Sequence, residues 1–111
     1  MSRVTLKAFD MQESTFVACK IHQLNTLWTD KKKENYIKHA VRECNIHKSV
    51  VHPKIVQLFD VFEIDDNSLC TVLEFCNGSD LDLYLKTNGV LSEREAKSII
   101  VQVIAIIPAF C

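Results

Sequence analysis

Apolar residues along this chain follow two periods, and the change from one to the other sets out its elements. Thr15-Phe16-Val17-Ala18-Cys19-Lys20-Ile21-His22 is β-branched and apolar around one ammonium, so Phe16 to His22 reads as a short buried strand. A lysine inside such a strand is costly unless an anion meets it. From Lys31 to Lys48 the period becomes helical, with Asp30 available as a cap. At 100° per residue Tyr36, Ile37, Ala40, Val41, Cys44 and His47 share one side, and Lys38, Arg42, Asn45 and Lys48 share the other. Glu43 falls at the margin of the apolar side, which makes it the acid best placed to meet Lys20.

The remaining elements follow from alternation and turn chemistry. Ser2 to Lys7 predicts a weak strand, Phe9 to Ser14 a polar hairpin connection, and Gln23 to Asp30 a loop carrying Trp28. His52-Pro53 ends the helix, because proline disfavours helical geometry in the residue before it. Ile55 to Glu63 and Leu69 to Cys76 predict an antiparallel hairpin around Asp65-Asp66-Asn67. Asn77 to Asp80 breaks the second strand. A short helix, Leu81 to Lys86, follows with Ser79 and Asp82 spaced as a capping box, and Ser92 with Glu95 opens a last helix from about Glu93 towards Ile107.

Composition narrows the function without choosing it. At 111 residues and a formal charge of −1, the chain is one domain or less and shows no bulk attraction to nucleic acid or an anionic membrane. Its 5 cysteines (Cys19, Cys44, Cys70, Cys76, Cys111) are odd in number and mostly set in apolar runs, which suits a reducing interior. His39, Glu43 and His47 recur every four residues, but two histidines eight apart without a Cys-x-x-Cys make no zinc site. Lys31-Lys32-Lys33 lies beside Asp30 and Glu34 without interleaved aromatics, which fits a solvated helix start.

The order of the motifs is more specific than any one of them. Val17-Ala18-Cys19-Lys20, then Arg42-Glu43, then His52-Pro53-Lys54-Ile55-Val56, then Leu73-Glu74-Phe75-Cys76 with Gly78-Ser79-Asp80-Leu81, resembles the N-terminal lobe and hinge of a protein kinase. Over roughly residues 7 to 104 the wording, including ACKIHQLN (Ala18 to Asn25) and CTVLEFCNGSDLDLYLK (Cys70 to Lys86), looks like the tousled-like serine/threonine kinases. The resemblance implies an α+β fold, an incomplete protein-kinase-like fold. In it a small antiparallel sheet with one regulatory helix is followed by two helices of a truncated C-terminal lobe. Residues 1–76 would be a partial N-terminal lobe and hinge lacking a glycine-rich loop, and residues 77–111 the start of the second lobe.

The same resemblance implies a site for ATP with Mg2+. Lys20 would meet the α- and β-phosphates and Glu43 would hold it at a fixed angle. Ala18 would leave room above the purine, Leu73 would take the gatekeeper position, the backbones of Glu74 and Cys76 would meet the adenine edge, and Asp80 would accept from a ribose hydroxyl. Read from the residues alone, Lys20 and Glu43 are equally a plain core ion pair, and Asp80 is a helix-start acid favoured by the helix dipole. Family membership further implies protein substrates such as histone chaperones and a nuclear location.

Two features point away from catalysis by these residues alone. The sequence contains no His-Arg-Asp catalytic loop and no Asp-Phe-Gly metal site, so no catalytic residue and no metal ligand is expected within it. The last helix is apolar nearly all round (Ile99, Ile100, Val101, Val103, Ile104, Ala105, Ile106, Ile107), too short to span a membrane, and followed by Pro108. Such a helix belongs inside a larger protein or against a partner. Two readings stand: an ATP-binding piece of a serine/threonine kinase, and a non-catalytic interaction fragment that binds a partner through this helix.

Overall fold

A computed structural model describes residues 2–78 and 80–107 of the chain. Expectations that fall on Ser79, on Pro108 and on Cys111 lie outside the described residues. Four strands, β1 (Ser2–Asp10), β2 (Thr15–Gln23), β3 (Leu58–Asp65) and β4 (Ser68–Glu74), form one sheet in the order β1-β2-β4-β3, with antiparallel pairing throughout. Among the described residues there are also three helices: α1 (Asp30–Ser49), α2 (Leu81–Asn88) and α3 (Glu93–Ile106). The expected α+β architecture, a small antiparallel sheet with one helix inserted and two helices following, is the one observed.

Local chemistry explains the boundaries, including those that move. β1 runs past the expected Lys7 to Asp10, because Phe9 pairs with Phe16 across the ladder and their rings meet edge to face at 5.2 Å. The turn then closes when Asp10 Oδ1 accepts the amides of Gln12 (2.9 Å) and Glu13 (3.2 Å), with Ser14 at φ 53°. β3 begins at Leu58 rather than Ile55, since the Ile55 amide donates to His52 O at 3.1 Å in a turn with Pro53 at its second position. β4 leaves the ladder after Glu74, two residues before the expected Cys76.

The caps are likewise corrected. The N-cap of α1 is Thr29, whose Oγ1 accepts from the Lys32 amide at 3.2 Å; Asp30 instead contributes its charge to the first turn. Asp80 caps α2 through a 2.8 Å bond from the Leu83 amide, while the expected Ser79–Asp82 box falls on a residue outside the described ones. The Ser92–Glu95 capping box on α3 forms as the spacing predicts.

The core is thin. Among the described residues, Val17, Leu24, Leu58, Leu69, Cys70 and Leu73 are its buried apolar members, with Thr71 the buried polar one. In β2, read from sequence as a buried strand, only Val17 is buried and Lys20 is exposed. The reason is tertiary: β2 has an open cleft on one face and the half-exposed Val4 and Leu6 of β1 beside it on the other. Helix α1 turns Tyr36, Ile37, Ala40, Val41, Cys44 and His47 inward, as the 100° period predicts, yet buries none of them fully. It packs beside β3 and is tied at its first turns by Lys33 Nζ, which donates to Asn67 Oδ1 at 2.6 Å. In α3, Ile100, Val101, Val103 and Ile104 are more than half exposed, at 53–57%.

Candidate functional site

The β2–β4 register builds the site. Ala18 pairs with Leu73, Lys20 with Thr71, and on the other side of β2, Lys20 with Thr5. Because side chains alternate along a strand, Thr5, Ala18, Lys20 and Leu73 fall on one face. Beyond Glu74 the chain turns away from the ladder. Phe75, Cys76 and Asn77 then form a wall, and Gly78, at φ 98°, makes the bend that a side chain would strain before Asp80 starts α2. His47 from the last turn of α1 and Val56 from the segment before β3 close the far side. Together these residues enclose a cleft of about 510 Å³, within the range that small-molecule sites occupy.

Six of the seven residues singled out from sequence line this one cleft: Ala18, Lys20, Leu73, Glu74, Cys76 and Asp80. The seventh, Glu43, does not. Glu43 and Lys20 are both exposed and make no ion pair within 4.0 Å; among the described residues that pairing occurs between Lys86 and Asp82 on α2, at 2.9 Å. The physical premise of the expected pair was a desolvated ammonium. Lys20 sits instead in an open cleft where water solvates it, so nothing draws Glu43 across. Asp80 caps α2 through its Oδ1 and also lines the cleft.

Hydrogen bonds hold the walls. Gln57 and Glu74 are joined twice, from the Glu74 amide to Gln57 O at 2.8 Å and from the Gln57 amide to Glu74 Oε2 at 3.1 Å. His47 Nε2 lies 2.7 Å from Val56 O. Lys7 Nζ stands 4.2 Å from the centre of the Phe16 ring and 4.5 Å from that of Phe75, a cation between two aromatic faces that anchors the wall to β1.

Sequence reasoning missed Thr5, His47, Val56 and Phe75 as cleft residues. Thr5 required the β1–β2 register, His47 and Val56 required knowing how the helix end meets the strand entry, and Phe75 required the turn of the chain beyond β4. The thiols also divide. Burial, with the neighbouring Cys19 thiol and the Asp60 charge, pushes Cys70 up to about 11, and burial with the Glu43 charge raises Cys44. Cys76 is exposed in the cleft wall, contrary to its apolar setting in the sequence. No group of three His, Cys, Asp or Glu side chains among the described residues is placed to hold a metal, and no helix of the structure is long and apolar enough to cross a membrane.

Comparison with known proteins places this geometry. The profile of the protein kinase domain family matches residues 1–109. Serine/threonine-protein kinase tousled-like 2 of Mus musculus is 59% identical over 98 residues, covering 88% of this chain and 14% of its own length. Tousled-like 1 of Caenorhabditis elegans is 56% identical over 99 residues (89% and 10%), and TOUSLED of Arabidopsis thaliana is 54% identical over 98 (88% and 14%). The chain thus spans 10–14% of the length of these relatives. Among solved structures, Rad53 1-466 in complex with AMP-PNP superposes with a TM-score of 0.71 at 24% identity, over 96% of this chain and 26% of that one. That likeness speaks to the fold, while the relatives speak to the lineage: this chain belongs to the protein kinase domain family and is a short piece of a kinase domain of the tousled-like serine/threonine kind.

Proposed function

We propose that the cleft is the nucleotide-binding part of a serine/threonine protein kinase and takes ATP with Mg2+. In this reading residues 1–76 are the nucleotide-binding lobe and hinge, and residues 77–111 begin the second lobe. Lys20 is the cation among the cleft residues, and at about 4 Å from a phosphate with an effective dielectric near 20 its attraction is about 4 kcal/mol before desolvation. The Glu74 carbonyl and Cys76 amide meet the adenine edge, Ala18 leaves space above the ring, Leu73 bounds the back, and Asp80 turns its second carboxylate oxygen to the ribose. Glu43 takes hold of Lys20 once bound phosphates draw the ammonium inward and α1 shifts towards β2. Magnesium, when bound, would screen the phosphate charges; the His-Arg-Asp and Asp-Phe-Gly motifs that would supply the base and metal ligands do not occur in this sequence.

The observation that carries this reading is the convergence of six residues, chosen for adenine and phosphate contacts, in one cleft. Titrating the purified 111-residue chain with Mg-ATP tests it. Saturable binding that Lys20→Ala abolishes is expected; no saturable binding, or binding indifferent to Lys20→Ala, overturns it. The family reading extends the proposal to the whole protein as a nuclear kinase acting on serine or threonine of proteins such as histone chaperones.

The exposed α3 row favours a second reading, an interaction fragment. Partner capture that survives Lys20→Ala and is lost on Ile104→Lys would select it over nucleotide binding.

A further inference from the structure

The two residues ahead of β3, Val56 and Gln57, form a strap held from both sides. On one side His47 reaches from the last turn of α1 to Val56 O, at 2.7 Å. On the other, Gln57 exchanges two bonds with Glu74, at 2.8 and 3.1 Å. A carbonyl oxygen only accepts, so His47 Nε2 carries the proton in this contact and the neutral ring is the Nε2–H tautomer. Elsewhere along α1, side-chain ties to the sheet region join Tyr36 Oη and His22 Nδ1, 3.4 Å apart, and Lys33 and Asn67 near the opposite end of the helix. No residue of α1 is fully buried, so polar ties add to part-buried packing in fixing its position.

From this connectivity we infer that His47 is a positioning residue for the cleft. Its imidazole fixes the Val56–Gln57 strap, and the strap sets the backbone of Glu74, where β4 gives way to the cleft wall. The inference rests on the nucleotide reading of the cleft, since Glu74 is the residue whose carbonyl that reading assigns to adenine. His47 itself lines the cleft, so the tie sits at the site rather than behind it. The signal was invisible in the sequence, where His47 was one more member of an inward helix face.

Conservative substitution separates positioning from bulk. His47→Leu keeps an inward apolar side chain and removes the donor, whereas His47→Gln returns an amide N–H at about the same reach. Lys33→Met serves as the control, because it cuts a tie of α1 that lies far from the cleft. Amide exchange of Glu74 by NMR is read in the nucleotide-free chain, alongside binding of a fluorescent Mg-ATP analogue. His47→Leu is expected to speed Glu74 exchange about tenfold and weaken nucleotide binding at least about fivefold, with both restored by His47→Gln and neither produced by Lys33→Met. In the parent, the ¹⁵N shifts of the neutral ring report the Nε2–H tautomer.

The inference is overturned if His47→Leu behaves as the parent, if His47→Gln fails to restore Glu74 protection, or if Lys33→Met loosens Glu74 equally. A parent chain that binds no nucleotide sinks the reading of the cleft instead, while Glu74 exchange still decides whether His47 sets the strap.

Discussion

Gln57 and Glu74 clasp one another through backbone and side chain at once, and this clasp sits where β4 ends and the cleft wall begins. Two bonds of different kinds make the contact separable. Glu74→Ala removes the carboxylate that accepts from the Gln57 amide and leaves the backbone bond in place. The expected loss of stability is about 0.5–1.5 kcal/mol, toward the lower end because Glu74 is exposed and water replaces the acceptor. Urea unfolding measures it, and Glu74→Gln, which retains an acceptor oxygen, recovers most of the loss.

Lys20 and Glu43 are unpaired in this structure, and that has a consequence opposite to a core ion pair. Glu43→Gln leaves the stability of the nucleotide-free chain within about 0.5 kcal/mol of the parent, as for an exposed surface change. A loss of about 3–5 kcal/mol in thermal or urea unfolding, the mark of an orphaned buried charge, would contradict this placement. Added Mg-ATP is expected to make the two proteins differ, because only then does Lys20 require an orienting acid.

Leu69 and Ile104 are both large aliphatic residues in regular elements, and they differ in what covers them. Leu69, 1% exposed at the centre of the sheet, is expected to cost about 2–5 kcal/mol on truncation to alanine. Ile104, 57% exposed on α3, is expected to change stability by less than about 0.5 kcal/mol. Ile104→Lys is expected to raise the concentration at which the chain begins to associate, measured by light scattering, because it breaks an exposed apolar row.

The α2–α3 corner has a pH signature. Tyr84 Oη donates to Glu95 Oε2 at 2.8 Å, and Glu95 also accepts from Ser92 in the capping box. The Tyr84 bond and then the Ser92 bonds hold the Glu95 carboxyl below its ordinary 4.5, while the Glu95 carboxylate lifts the Tyr84 phenol above its ordinary 10.0. Glu95 has its lower pKa in the folded state. Its stabilisation is therefore present above the ordinary carboxylate value and is lost as pH falls through the folded one. Tyr84 has its higher pKa in the folded state, so its contribution is present below 10.0 and lost as pH rises through the folded value. Tyr84→Phe is expected to return the Glu95 titration, followed by carboxyl ¹³C shifts, towards 4.5.

Much of this molecule was legible in the sequence because the relevant physics is local. The inward face of α1 follows from a 100° period, and the Ser92–Glu95 box from two residues three apart. The β3–β4 hairpin follows from Asp66-Asn67, with Asn67 donating to Asp65 Oδ1 at 2.7 Å. The order of Val17 to Lys20, Arg42-Glu43, His52 to Val56 and the Leu73 to Leu81 stretch was enough to name the family and six of the cleft residues.

What the tertiary structure alone decided concerns burial and register, which no local window contains. Whether β2 is covered depends on elements distant in sequence, so Lys20 read as a buried charge lies in an open cleft and its expected partner stays in solvent. Thr5 entered the cleft through the β1–β2 ladder, and His47 through a bond to Val56, nine residues on but across the gap between helix and sheet. Side-chain type set what each of these residues is able to do, and the pairing of strands set which of them meet.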